Sequence, residues 1–162
     1  RRPQARLVLV GDGDLPGERG ALEARVTRLG LQTAVRFTGF VPMAQAWDIA
    51  ASGAVCVSPI YPTRVLIPGS PTKLVEYMAL GRPVVCNDHP EQQFVIEQSG
   101  AGLCTPWSPQ AFADAIVWML EHPKEAEAMG RKGPAWVAAN RTYDVLAEQV
   151  LNTYRRVCGE AA

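Results

Sequence analysis

Short apolar runs alternate with stretches of helical periodicity along this chain. Leu7-Val8-Leu9-Val10 reads as a buried strand halted by Gly11-Asp12-Gly13. Residues 18–29 carry Leu22, Val26 and Leu29 at helical spacing, and Gly30 ends the run. A second strand covers 35–38 and stops at Gly39, and a short helix over 43–51 turns Trp47 and Ala50 inward. A third strand covers 54–58. After a long loop, 59–69, come a helix over 70–81, a strand over 83–87, a helix around 91–98 and a last short strand over 102–105.

From there the pattern is all helical. Ser108-Pro109 caps a helix that runs through Glu121 on a core stripe of Phe112, Ile116, Met119 and Leu120. Pro123 opens another that runs into Gly133-Pro134, and Thr142 caps a final amphipathic helix carrying Leu146, Val150 and Tyr154. Short strands alternating with helices predict one α/β domain over 1–162, a Rossmann-like parallel sheet with helices on both faces. Ligands of such folds bind at the carboxyl ends of the strands. The loops to watch are therefore 11–17, 39–42, 59–72 and 88–91, where glycines and prolines cluster.

One segment stands out: Gly69-Ser70-Pro71-Thr72-Lys73-Leu74-Val75-Glu76-Tyr77-Met78-Ala79-Leu80-Gly81-Arg82-Pro83-Val84-Val85. Ser70 is a good N-cap and Pro71 is pre-set for the first helical position. Lys73 then falls in the first turn, where the helix dipole disfavours a cation unless an anion sits there too. Free amides at a helix start already favour phosphate. Glu76, three residues on, shares a side with Lys73. One short helix thus offers amides, an ammonium and a carboxylate to a ligand bearing phosphate and hydroxyl groups. The plainer alternative is a Lys73–Glu76 pair on a solvated face.

Bulk composition narrows the classes. The 162 residues suffice for one domain, and sixteen basic against sixteen acidic side chains give no field that invites nucleic acid. No apolar run approaches the roughly 20 residues of a membrane span, and no signal peptide is evident. The chain opens on Arg1-Arg2-Pro3 without a Met and reads as a piece of something longer. Cys56, Cys86, Cys104 and Cys158 show no metal or redox spacing; the first three lie in apolar runs, as core residues. A reducing cytoplasm suits free thiols. Gly11-Asp12-Gly13 reads as a tight turn rather than a phosphate cradle. His122 is expected beside a helix end, and Trp107, Trp118 and Trp136 are expected in packing.

These landmarks, read in order from the strand and turn at 7–13, through Val35-Arg36-Phe37-Thr38-Gly39-Phe40-Val41 and the 70–85 motif, to Gly100-Ala101-Gly102 and Met129-Gly130, form a recognisable set. The chain resembles the C-terminal, nucleotide-sugar-binding domain of a family 4 retaining glycosyltransferase of the two-Rossmann-domain (GT-B) type. The resemblance implies sugar transfer from a nucleotide-diphosphate sugar to a saccharide or lipid-linked acceptor, in cell-envelope polysaccharide biosynthesis, with no metal or other cofactor. It implies that Glu76 holds the donor ribose, and that Gly69, Ser70, Thr72 and Lys73 lie at the diphosphate. The loop of Phe40, Val41 and Pro42 would lie beside the base. A cytoplasmic protein, peripheral at the inner face of the membrane, would suit such an acceptor.

Two departures from the family pattern matter. Where the family often has a second glutamate, eight positions before Glu76, this chain has Pro68. The sugar-side contact then falls to the Gly69 amide, to the 59–67 loop with Tyr61 and Arg64, or to Pro68 or His89. The family also begins this domain with a strand and a basic glycine turn ahead of residues 7–10, and the N-terminal acceptor domain precedes that. Without that strand, 7–10 and 54–58 lose their shared neighbour, so another chain is expected to fill the gap or the sheet to close up. A sugar-nucleotide epimerase half and a non-catalytic nucleotide-sugar-binding module are the alternatives.

Overall fold

The computed structural model describes residues 2–13 and 15–159. The chain divides into two compact units, Arg1–Ile49 and Ala50–Ala162.

In the first unit, β1 (Leu7–Leu9) and β2 (Val35–Phe37) pair in parallel, Leu7 beside Val35, and are joined through α1 (Glu18–Arg28). β1 is not the buried strand its apolar run predicts: Leu7 and Val8 are exposed. A two-stranded sheet with a single crossover helix covers at most one face, and α1 itself buries no residue. α2 (Met43–Ser52) spans the junction of the units. Trp47, expected inward, is exposed, and the partly covered positions are Ala46, Ile49, Ala50 and Ala51.

The second unit holds the core. β3 (Cys56–Ser58), β4 (Val84–Asn87) and β5 (Gly102–Thr105) form a parallel sheet in the order β3-β4-β5. All four residues of β4 are buried. Their alternation divides the core. Val84 and Cys86 pack with Leu74 and Met78 of α3 (Thr72–Ala79), Val95 and Ile96 of α4 (Pro90–Ser99) and Val137 of α7 (Gly133–Asn140). Val85 packs on the other face with Ala115 and Met119 of α5 (Pro109–Glu121) and Ala126 of α6 (Pro123–Gly130). Strand residues two apart share a face, so one continuous apolar run serves two helical layers. Burying each large apolar side chain contributes about 1.5–3 kcal/mol.

The described strands thus form two sheets, β1-β2 and β3-β4-β5. Pairing follows the βαβ crossovers: β1 keeps β2, and β3 keeps β4.

The helical tail differs from expectation in two places. Gly133-Pro134 opens α7 instead of stopping the preceding helix, because a proline preset for the first turn starts a helix more readily than it ends one. α7 packs against α3. The last helix, α8 (Tyr143–Cys158), is capped by Thr142, whose Oγ1 accepts the Val145 N–H at 3.3 Å. Yet none of its residues is buried, and Val150 and Tyr154 are exposed. No described helix is long and apolar enough to cross a membrane.

Candidate functional site

α3 is fixed at its carboxyl end by a left-handed Gly81, φ +68°. The Gly81 N–H bonds to the Met78 carbonyl and the Arg82 N–H to the Tyr77 carbonyl, both at 3.0 Å, which closes a Schellman turn into β4. Leu74 and Met78 are buried almost completely. Burying that face sets the rotation of the helix, and it leaves Lys73 exposed and Glu76 half-buried.

The amino end starts one residue later than the sequence suggests. Pro71, not Ser70, is the N-cap, with φ −68° and ψ 106°, and no side chain caps the helix. That extended ψ keeps Pro71 outside the helix, and a proline also holds the residue before it extended. Ser70 Oγ instead lies 3.5 Å from Glu91 Oε1 of α4. Lys73 stays in the first turn, and the N–H groups of Thr72 and Lys73 have no acceptor within the helix. The Gly69 N–H is already used: it donates to the Leu66 carbonyl at 2.9 Å. Ser70, Thr72 and Lys73 therefore share an exposed helix start, while the Gly69 amide is taken up within the 66–69 turn. Among the described residues Lys73 and Glu76 form no ion pair, with each other or with any other side chain.

The connection from β4 to α4 packs against the 59–69 segment through groups the sequence did not single out. Ser58 Oγ donates to Gln92 Oε1 at 2.5 Å, and Gln92 Nε2 to Asn87 Oδ1 at 3.3 Å. Asn87 Oδ1 also accepts the Ile60 N–H at 2.7 Å. All three side chains are buried. The available signal was a pair of amides, Asn87 and Gln92, at the end of an apolar run. His89 is the α4 N-cap and is only 3% exposed. It is not an open sugar-side group, because its Nε2 bonds to the Leu66 carbonyl at 2.9 Å. Arg64, Pro68 and Tyr61 are exposed. Tyr61 meets Trp107 edge-on at 5.5 Å, and Trp107, expected in packing, is 40% exposed. Glu91 pairs with Arg141 at 3.0 Å, and that guanidinium covers the Trp136 ring.

The first unit, taken by itself, carries the predicted base-side loop. Phe40 is 82% exposed, Pro42 is exposed and Val41 half-buried. The turn at Gly39 is tied to the Gly11 turn, whose N–H donates to the Gly39 carbonyl at 3.1 Å. Arg19, missed in the sequence, pairs with Asp12 at 3.4 Å and with Glu23 at 2.8 Å beside this turn.

Three thiols and a phenol take unusual states. Burial pushes the Cys56 thiol up to about 11, partly offset by the Arg82 charge. Burial also raises the Tyr77 phenol, with Cys56 and Glu76 adding to the shift. Cys86 and Cys104 face each other across β4 and β5; their mutual hydrogen bond raises Cys86 and lowers Cys104. Cys86 is buried as expected, and Cys104 is half-buried. His122 sits at the end of α5, its Nδ1 2.8 Å from the Trp118 carbonyl. Trp118 stacks on its ring, and Trp136 packs on the α3 face of the core.

Residues 1–122 match the family model of the glycosyl transferases group 1. The chain belongs to this family. It is 32% identical over 131 residues to the D-rhamnosyltransferase WbpZ of Pseudomonas aeruginosa, a match covering 80% of this chain and 32% of that protein. The fold is similar to sucrose-phosphate synthase from Thermosynechococcus elongatus, with a TM-score of 0.82 and 27% identity. That match covers 98% of this chain and 40% of the synthase. HepE of Anabaena, in complex with UDP and glucose, matches with a TM-score of 0.76 and 27% identity over 95% of this chain and 41% of its own. The chain thus spans about a third to two fifths of the length of these relatives. With these neighbours, its parallel sheets flanked by helices are those of one Rossmann-like half of a GT-B glycosyltransferase.

Proposed function

We propose that residues 1–162 act as the C-terminal, donor-binding half of a retaining, family 4 glycosyltransferase. The whole protein moves a sugar, of hexosyl or related type, from a nucleotide-diphosphate sugar to a saccharide or lipid-linked acceptor in cell-envelope polysaccharide biosynthesis. The observation that carries this reading is the start of α3. Lys73 and Glu76 lie on one side of the helix without ion-pair partners among the described residues, beside N–H groups that have no helical acceptor. Amides and an ammonium suit a diphosphate, and a carboxylate suits the vicinal hydroxyls of a ribose. HepE, which shares this fold over 41% of its own length, binds UDP and glucose, and that supports a nucleotide-sugar donor for the whole protein.

Chemistry follows from the same groups. The departing diphosphate gains charge in the transition state, and Lys73 with the Ser70, Thr72 and Lys73 amides would stabilise it without a metal. The base would lie by Phe40, Val41 and Pro42, and the sugar near Arg64 and Pro68. Acceptor groups belong to another part of the protein, so the isolated chain binds donor without turnover. The protein would work in the cytoplasm at the inner membrane face. A second chain would pair with the open edges of β1 and β3, which sedimentation over a range of concentrations tests.

Calorimetric titration of the chain with UDP, GDP, ADP and dTDP tests the donor site. One or more should bind, and Glu76→Ala should weaken that binding by about 1.5–3 kcal/mol through loss of a charged hydrogen bond. No binding to any of them by the folded chain overturns the proposal, as does an unchanged affinity in the variant.

A further inference from the structure

We infer that His89 is a positioning residue for the diphosphate site, acting through the Leu66 carbonyl to hold the turn that delivers the chain to α3. The inference rests on the donor reading above.

The Leu66 carbonyl accepts two hydrogen bonds, from the Gly69 N–H at 2.9 Å and from His89 Nε2 at 2.9 Å. A carbonyl only accepts, so Nε2 carries the proton. The first bond closes the turn 66–69, and the second fastens that turn to the N-cap of α4. Ser70, Pro71 and Thr72 follow at once, so the turn sets where the free N–H groups of α3 begin. A side chain at 69 would crowd the same oxygen, its Cβ lying 3.0 Å away.

The tether is deliberate in energetic terms. Leu66 and Gly69 are exposed, so water could satisfy the carbonyl without help. His89 nevertheless spends a nearly complete burial, 3% exposed, on this one bond, while its Nδ1 has no hydrogen-bond partner. An orphaned buried nitrogen costs stability and calls for a compensating role. Upstream, Asn87 Oδ1 holds Ile60 in the same way. The β4–α4 connection thus grips the 59–69 segment at both of its ends. Loops of this length are otherwise mobile, and a phosphate site needs its donors preset.

The experiment combines His89→Leu, which removes the donor, with His89→Gln, which restores an N–H at a similar reach. Hydrogen exchange of the 63–70 backbone should rise about tenfold in His89→Leu and stay near wild type in His89→Gln. The ratio of affinities for UDP over UMP (or for another nucleoside diphosphate over its monophosphate, if that base binds) should fall about tenfold in His89→Leu and recover in His89→Gln. A merely structural role would lower the thermal midpoint without moving that ratio. Unchanged exchange at 63–70 in a folded His89→Leu chain overturns the tether. Raised exchange with an unchanged ratio overturns the positioning role. A wild-type chain that binds no nucleotide overturns the donor reading, and the positioning role with it, while the exchange arm still decides the tether. Nitrogen-15 spectra of the wild-type imidazole need no variant to fold: the Nε2–H tautomer is expected, and the Nδ1–H tautomer overturns the inference.

Discussion

Ser58 and Gln92, thirty-four residues apart in sequence, meet in the core with Oγ and Oε1 2.5 Å apart. Gln92 in turn donates to Asn87, which receives the Ile60 N–H, so strand β3, helix α4 and the start of the 59–69 segment share one buried polar chain. Gln92→Leu keeps most of the volume but leaves the Ser58 hydroxyl without its acceptor. The variant should lose about 1–3 kcal/mol of stability, read from urea unfolding with an unchanged slope. Wild-type stability in this variant would mean that the chain contributes nothing net.

Gly133, at the start of α7, lies against the backbone of Met78 in α3, and a Cβ there would collide with the Met78 carbonyl. Gly133→Ala is therefore expected to cost about 1–3 kcal/mol or more, despite the better helix propensity of alanine. Thermal unfolding of the two proteins checks it. A gain in stability, as propensity alone would give, contradicts the close approach.

Lys73 should act on phosphate and not on base. Lys73→Gln is expected to weaken a nucleoside diphosphate by about 1.5–3 kcal/mol and the matching nucleoside far less. The salt dependence of binding should flatten as well. Equal losses for both ligands would place the lysine elsewhere than at the diphosphate.

High pH should destabilise the chain through Cys56. Its thiol titrates near 9 when unfolded and is pushed to about 11 by burial. Between those values the unfolded chain releases a proton that the folded chain keeps. Stability is therefore full below about pH 9 and is lost as pH rises toward about 11. Tyr77, also raised by burial, acts in the same direction. Cys56→Ala should show a shallower fall of the urea midpoint between pH 9 and 11. Identical slopes would refute the assignment to this thiol.

Much of this architecture was legible because it is written locally. Gly81 ends α3, Ser108 and Thr142 cap their helices, and the strands at β2, β4 and β5 follow their apolar runs to within a residue. The 70–81 segment likewise displayed the Lys73 and Glu76 spacing. Its first residue was misread, since Ser70 and Pro71 both favour a helix start and only the backbone at Pro71 decides between them. The exposure of Leu7, Val8, Trp47 and Val150 was not legible either. Hydropathy reports what a side chain prefers, whereas burial depends on whether another layer lies over it.

The sequence by itself determined an α/β chain with parallel strands, and a helix start that gathers a cation, a carboxylate and free amides. Periods of 2 and 3.6, caps and turn glycines are properties of neighbouring residues, so they can be read in order along the chain. Only the tertiary structure decided that the strands pair as two sheets, that β4 serves both helical layers, and that the Gly69 amide is spent on the Leu66 carbonyl. It alone brought His89 to the Leu66 carbonyl, across twenty-three positions of sequence. Such bonds join residues whose separation carries no periodic signal. They form because a buried polar group must find a partner wherever the packed chain offers one.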